Sequence, residues 1–258
     1  MNQAHSHESE LSKDFSIKQA ISYGWKTLKE HTGLLVGATA LVMVASVVLA
    51  ALSEVIDNAS LSGLVTIAAY IIQSGLALGL VYIALEVYHG RKATVSGLLT
   101  PFDERLWKYI FAGILYGVMV AVGTLLLVIP GIWAGLTFAF FVYPIAEENA
   151  GPIEALKYSK QITDGAKLQL LLFFVVVWLL NLVGLLFLGI GLLVTIPTVA
   201  MATVSVYYIL KEATDETTPP ADAEAPLPET ETDTDIDEDG ADMNDSDTEP
   251  EEDAADTA

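Results

Sequence analysis

The sequence contains no cysteine, and no lysine or arginine occurs after Lys211. Without cysteine the protein has no disulfide bond, thiolate nucleophile, Cys-ligated zinc site or iron–sulfur cluster. Charged residues are also scarce, at 17% of the chain against about 25% in soluble domains. Hydrophobic residues make up 53% of the chain, and the mean hydropathy is +0.50. This composition is typical of a membrane protein.

The net charge of −21 is concentrated in one segment. Residues 1–211 hold all 12 lysines and arginines together with 13 acids, whereas residues 212–258 hold the other 20 acids and no base. A segment with so many like charges and few apolar residues cannot bury a core. We therefore expect a disordered N-terminus over residues 1–13, a transmembrane domain over 14–211 and a disordered acidic tail over 212–258.

Long uncharged runs fill the middle of the chain. A helix that crosses about 30 Å of hydrocarbon needs about 20 residues. The candidate runs are Gly33–Ser53, Gly63–Leu85, Tyr109–Ile132, Trp133–Ala146, Leu168–Leu188 and Gly189–Leu210. They predict an all-α, polytopic membrane bundle of six transmembrane helices arranged as three hairpins. The fourth run is the shortest. Pro130 and Pro197 are expected in the turns of the second and third hairpins, because proline starts a helix without losing a hydrogen bond.

The charges test this count independently. If the chain starts in the cytoplasm and six helices alternate in direction, no base falls in the three outer turns, as the positive-inside rule requires. The bases on the inner side are Lys13, Lys18, Lys26, Lys29, Arg91, Lys92, Arg105, Lys108, Lys157, Lys160, Lys167 and Lys211. We therefore expect a multi-pass protein of the cell membrane with both termini in the cytoplasm.

An amphipathic basic helix is predicted before the first span, because apolar and basic residues recur there at helical spacing. Its apolar face comprises Ile17, Ile21, Gly24 and Leu28, and its opposite face comprises Lys18, Ser22, Lys26 and Lys29. Such a helix suits a headgroup surface. It is equally consistent with a cytoplasmic extension of the first span, and the sequence leaves both interpretations open.

Polar residues inside the predicted spans are few and uncharged. They are Gln73, Ser74, Thr124, Thr137, Asn181, Thr195 and Ser205. Such side chains normally hydrogen-bond between helices and stabilise the bundle. Gly75 and Gly79 form a Gly-x-x-x-Gly motif on the second helix, which predicts a closely packed face.

The ionisable residues nearest the membrane lie at its predicted inner boundary. They are Glu86, His89, Glu147 and Glu148. A proton or metal site built from them would require the second and fourth helices to meet at their ends, whereas boundary charges are usually solvated. The chain shows no nucleophile–base pair and no glycine-rich phosphate loop. We therefore predict no catalytic residue, no cofactor-binding residue, no metal ligand and no cofactor.

The second hairpin and the segment after it resemble a known family. Ile129-Pro130-Gly131-Ile132 is followed by an aromatic stretch, Phe138 to Tyr143, interpreted as helical, and then by an acidic helix end and small residues. The matching positions are Pro130, Gly131, Glu148, Gly151, Ala155, Ser159 and Gly165. The pattern is similar to the YciC-like membrane proteins and to the membrane-anchor region of some glycerophosphodiester phosphodiesterases, closely over residues 126–170 and loosely over 14–211.

The resemblance implies a six-helix bundle of three hairpins, without an established activity for the stand-alone members. We expect the chain not to be the phosphodiesterase itself, because the acidic tail follows the sixth helix in place of an enzyme domain. The expected function is that of a non-enzymatic membrane protein that organises the bilayer or scaffolds a partner. The expected partners are the lipid bilayer and a basic protein for the tail, and not nucleic acid. A small-solute transporter or channel is the alternative.

The predicted topology can be tested with reporter fusions. We expect fusions at Ser96, Ser159 and Ala258 to report a cytoplasmic location and those at Asn58 and Gly191 to report the outside. An external Ser96 would contradict the six-helix arrangement, because it would move the four bases between Arg91 and Lys108 to the wrong side.

Overall fold

The computed structural model describes residues 15–54, 59–187 and 189–217, and these residues form helices and turns without any strand. The helices are α1 Ile17–Glu30, α2 Thr32–Glu54, α3 Ala59–Tyr88, α4 Glu104–Leu126, α5 Val128–Thr137, α6 Val142–Glu148, α7 Pro152–Thr163, α8 Lys167–Leu186 and α9 Leu192–Thr217. A 3₁₀ turn, Val95–Leu99, lies between α3 and α4. The predicted all-α class is confirmed.

Six segments are long and apolar enough to cross a membrane, as predicted. They are Thr32–Ser53, Leu61–Tyr88, Glu104–Leu126, Val128–Glu148, Lys167–Leu186 and Leu192–Glu216. Much of their apolar surface faces outward: only 11% of the most apolar stretch of α4 is buried, and Leu125 at its end is 88% exposed. An apolar surface this large is stable in hydrocarbon and not in water. The chain is therefore an integral membrane protein.

The fourth span differs from the prediction. It begins at Val128, and Phe138–Phe141 form a turn between α5 and α6, so the aromatic stretch is not a continuous helix. Pro130 lies in the first turn of α5, as predicted. Pro197, in contrast, lies inside α9, and the turn residues described before α9 are Phe187 and Gly189–Gly191, where Gly189 has φ +74°.

Two hydroxyl groups of α7 stabilise the break in the fourth span. Ser159 Oγ accepts a hydrogen bond from Phe140 N at 3.1 Å and donates one to Thr137 O at 3.0 Å. The single hydrogen of Thr163 Oγ1 is shared between the same carbonyl, at 3.1 Å, and Ser159 O, at 2.9 Å. Both side chains are fully buried. These bonds satisfy backbone groups that a continuous helix would have paired, which is required inside a membrane protein.

The N-terminal helix packs against α9. Its buried positions are Ala20, Gly24, Thr27 and Leu28, and the predicted basic face is exposed. The structure differs from both sequence interpretations. The apolar face of α1 contacts protein and not a headgroup surface, and α1 ends at Glu30, so it is a separate helix and not an extension of α2. The helices are so close that a Cβ atom on Gly24 would lie 2.2 Å from Thr198 O.

The remaining expectations concern the domain boundaries and the polar residues. Helix α9 continues past residue 211, the predicted end of the transmembrane domain, to Thr217. The predicted division into domains stays a prediction. Residues 1–14 and 218–258 lie outside the described residues. Gln73 joins α3 to α2 by accepting from Ser46 Oγ at 3.0 Å. Gly75 and Gly79 do face a closely packed surface, but it is the connection between α3 and α4, through Phe102 and Leu98.

The contact at Gly24 generates a stability prediction. Gly24→Ala should force α1 away from α9 and lower the free energy of unfolding by about 1–3 kcal/mol, because the new methyl group has no space. Gly37→Ala is the matched control, since a Cβ there meets nothing within 4 Å. The measurement is the unfolding midpoint of the purified full chain in detergent. Equal midpoints for the two variants would contradict the close approach.

Candidate functional site

The ends of three helices meet at one end of the bundle, which we call the basic end because its connections carry the lysines and arginines. Helix α3 ends at Tyr88 and α6 at Glu148, while α9 passes Lys211 before it ends. Gly90, with φ +66°, reverses the chain after α3, and Arg91 Nε lies 3.1 Å from Glu86 Oε1. Asn149 ends α6 in the left-handed conformation, with φ 57°.

The hydroxyl group of Tyr208 joins the three helices. Tyr208 Oη donates to Glu147 Oε1 at 2.5 Å and lies 3.1 Å from His89 Nε2. A phenol has one hydrogen, so while it is directed at Glu147 the second contact is a hydrogen bond only when His89 carries a hydrogen on Nε2. The other ring nitrogen, Nδ1, lies 2.8 Å from the Leu85 carbonyl oxygen, which can only accept. Nε2 is also 3.6 Å from Glu147 Oε1. The three side chains therefore form a closed triangle across α3, α6 and α9.

Lys211 completes the arrangement from α9. Its Nζ lies 2.9 Å from Glu148 Oε1 and 3.5 Å from Glu147 Oε2. The two carboxylates lie in the last turn of α6, where the negative end of the helix dipole repels them, so they need positive partners nearby. Glu147 is only 18% exposed, which makes its partners more important. We call Glu86, His89, Arg91, Glu147, Glu148, Tyr208 and Lys211 the helix-end cluster.

A layer of tyrosines lies next to the helix-end cluster. Tyr88 stacks on Tyr208 with ring centroids 4.4 Å apart, and Tyr143 stacks on Tyr207 at 4.6 Å. Tyr158 of α7 approaches the same region, where burial raises the pKa of its hydroxyl and nearby Lys211 acts in the opposite direction. The Tyr158 phenol therefore stays protonated at neutral pH. The stacked rings fix the orientation of the Tyr208 hydroxyl group.

A second set of contacts joins α4 to the same end. Lys108 Nζ donates to both the backbone oxygen and the side-chain oxygen of Asn149, each at 2.9 Å. The Asn149 amide in turn donates to Glu104. The residue that ends α6 is thus bound to the first turns of α4, and four of the helices are connected at the basic end.

The four boundary residues named by the sequence are only partly brought together. His89 and Glu147 are in contact, so the helix ends do meet. Glu86 instead pairs with Arg91 and Glu148 with Lys211. In the described part of the chain, no group of three histidine, aspartate or glutamate side chains could hold a metal ion. The arrangement cross-links helices and provides an ordered charged surface.

Sequence reasoning missed Tyr208 and did not connect Lys211 with the glutamates. A signal was available for Lys211, because it is the only base near the end of the sixth span and two glutamates end the fourth. Tyr208 carried no comparable signal, since an aromatic residue near a helix end is also typical of a membrane interface.

Comparisons with protein-family models, with curated proteins and with solved structures find no match. The resemblance to YciC-like proteins therefore stays a prediction.

The contacts of the Tyr208 hydroxyl group predict that its removal lowers the stability of the protein. Tyr208→Phe should keep the stacking on Tyr88 but lower the free energy of unfolding by about 1.5–3 kcal/mol, because Glu147 loses a charge-assisted hydrogen bond. Tyr70→Phe is the matched control, as Tyr70 is 54% exposed on α3. Denaturation of the full chain in mixed micelles measures both. A loss no greater than that of Tyr70→Phe would contradict the bridging role.

Proposed function

We propose that this integral membrane protein is non-enzymatic and works as a scaffold, organising the bilayer or holding a partner at its cytoplasmic face. The observation that carries the proposal is the helix-end cluster, which connects α3, α6 and α9 through paired charges. Such cross-links keep one face of the bundle in a fixed arrangement. Charges that are paired with one another are also poorly suited to acid–base catalysis.

The surroundings of the cluster support a role at a surface. Lysines on α1 and α7 are exposed, including Lys18, Lys26, Lys157 and Lys160. Exposed bases at the inner leaflet attract anionic lipids, at about 1 kcal/mol per residue. The acidic tail that follows α9 has the opposite charge, so it suits a basic partner protein.

One observation favours the alternative, a small-solute transporter or channel. Asn181 Oδ1 and Thr195 Oγ1, in α8 and α9, are buried and have no hydrogen-bond partner among the described residues. A cavity of about 220 Å³ is lined by Thr195, Thr198 and apolar side chains of α1, α8 and α9, so one of the two unpaired residues lines it. Unpaired polar atoms at this depth are the kind of feature that a substrate site would need.

Complementation of a gene deletion, scored by growth and membrane morphology, separates the two functions. For a scaffold, Asn181→Leu should complement fully, because no bond of Asn181 is required. Neutralising Lys18, Lys157 and Lys160 together to Gln should reduce complementation at unchanged protein abundance. The opposite pattern, with Asn181→Leu inactive and the triple variant active, would overturn the scaffold proposal and favour the carrier.

A further inference from the structure

A small polar cavity lies at the basic end between α3, α4 and α6. Its volume is about 170 Å³, and its lining residues are Tyr82, Leu85, Glu86, Arg91, Arg105, Ala146 and Glu147. A water molecule occupies about 30 Å³ in the liquid, so the cavity has room for roughly five groups of that size. Four of the lining side chains are charged, which is unusual next to membrane-spanning helices.

Three of these four charges are compensated within the protein. Glu86 and Arg91 pair with each other at 3.1 Å. Glu147 is held by the helix-end cluster, where the Tyr208 hydroxyl and Lys211 contact its two oxygens. Both carboxylates therefore have cations or donors of their own, and they do not require Arg105.

Arg105 is the exception. Its Nε atom is buried and has no hydrogen-bond partner among residues 15–54, 59–187 and 189–217. Asp103 Oδ2 forms a long ion pair with Nε at 3.9 Å, which is beyond hydrogen-bonding distance, and the Asp103 side chain is 48% exposed. The side chain is 23% exposed, and its guanidinium group lies 6.0 Å from the centre of the Tyr82 ring. A buried Nε–H group without an acceptor suits an acceptor-rich ligand, which would satisfy it.

A second cavity, of about 140 Å³, shares Tyr82 and Glu86 with the first. It is lined by Lys92 and by hydroxyl groups of the connection between α3 and α4, on Thr94, Ser96 and Thr100. Ammonium and hydroxyl groups are donors that suit phosphate oxygens. The two cavities together offer donors on both sides of Tyr82.

The depth of the site also favours a headgroup. Trp107 follows Arg105 by two residues and is 53% exposed. Tryptophan is enriched at the membrane–water interface, at the level of the lipid headgroups. Phe102, on the other side of Arg105, is 39% exposed. The exposed aromatic residues beside Arg105 therefore favour a position at the headgroup level for this site.

We propose that Arg105 binds a phosphate group in the first cavity, with Lys92 and the hydroxyls of the adjoining second cavity as further donors to the same headgroup, and that the natural ligand is the phosphodiester of an anionic lipid. Guanidinium binds phosphate through two parallel hydrogen bonds, a geometry that lysine cannot reproduce. The inference rests on the proposed function, since it identifies a lipid headgroup as a partner of the cytoplasmic face.

The test is a titration of the purified full chain in neutral detergent, with the melting midpoint as the readout, because a ligand that binds the folded state raises it. The three ligands are dioctanoyl phosphatidylglycerol, dioctanoyl phosphatidylcholine and inorganic phosphate. We expect saturable stabilisation by phosphatidylglycerol at a concentration at least tenfold lower than for phosphatidylcholine. Saturation by inorganic phosphate at an equal or lower concentration would support the phosphate site but identify free phosphate as its ligand.

Variants decide whether Arg105 carries the binding. Arg105→Gln and Arg105→Lys should each weaken phosphatidylglycerol binding at least tenfold, whereas Lys167→Gln, a base that lines neither cavity and pairs with Asp164, should change it less than twofold. If Arg105→Gln does not fold, Lys92→Gln should still weaken binding about threefold. Equal losses in Arg105→Gln and Lys167→Gln, or full binding by Arg105→Lys, would overturn the proposal in favour of nonspecific attraction.

This outcome can be distinguished from failure of the scaffold proposal. The lipid titration uses purified protein, whereas the scaffold proposal depends on complementation in cells by Asn181→Leu. Loss of the Arg105 effect with Asn181→Leu still active would remove the phosphate site alone. A carrier phenotype with intact phosphatidylglycerol binding would remove the scaffold alone.

Discussion

The hydrogen bonds from α7 to the break in the fourth span determine how the basic end is built. Ser159 and Thr163 hold Thr137 O and Phe140 N, so the chain can stop its helix at Thr137 and restart at Val142. In a low-dielectric interior, unpaired backbone groups would cost several kcal/mol. The break redirects α6, whose last turn then brings Glu147 to α3 and α9. Without these hydroxyls, the triangle of Glu147, His89 and Tyr208 would have no support.

The position of the glutamates explains why so many groups gather around them. The C-terminal end of α6 carries a partial negative charge, and Glu147 and Glu148 add two more. Lys211 faces both carboxylates, and His89 and the Tyr208 hydroxyl contact Glu147. Removing one partner would leave Glu147, a mostly buried carboxylate, with only part of its compensation, which lowers stability. The cluster is therefore cooperative, and its members depend on one another.

The sequence could predict the number of spans because that number depends on sums over many residues. Hydropathy gives six runs, and the one-sided distribution of bases fits only an even count. The break at Phe138–Phe141 could not be predicted, since Phe, Ala and Val are as apolar in a turn as in a helix. What creates it is the reach of Ser159 and Thr163, which lie about twenty residues away.

The site was predictable to a similar degree. Boundary charges such as His89 and Glu147 could be identified from their positions in the sequence. Their contact depends on which helices meet, and that cannot be read from the pattern of a single sequence. Pro197 shows the same limit, because a proline near a helix start can lie just outside or just inside it. The contact between α1 and α9 at Gly24 also depends on two small surfaces fitting together.

The cross-links at the basic end bear on whether the helices can separate there. Alternating access requires helices to separate at one end and then at the other. At the basic end, separating α6 from α9 would break the contacts of Glu147 and Glu148 with Tyr208 and Lys211, and separating it from α3 would break the contact with His89. Charge-assisted bonds of this kind contribute about 1–3 kcal/mol each when partly buried. Opening this end would thus cost several kcal/mol before any substrate bound, and a ligand would have to supply that difference through tighter binding to the open state. A rigid end of this kind is a disadvantage for a carrier, whereas a scaffold needs a face that keeps its shape.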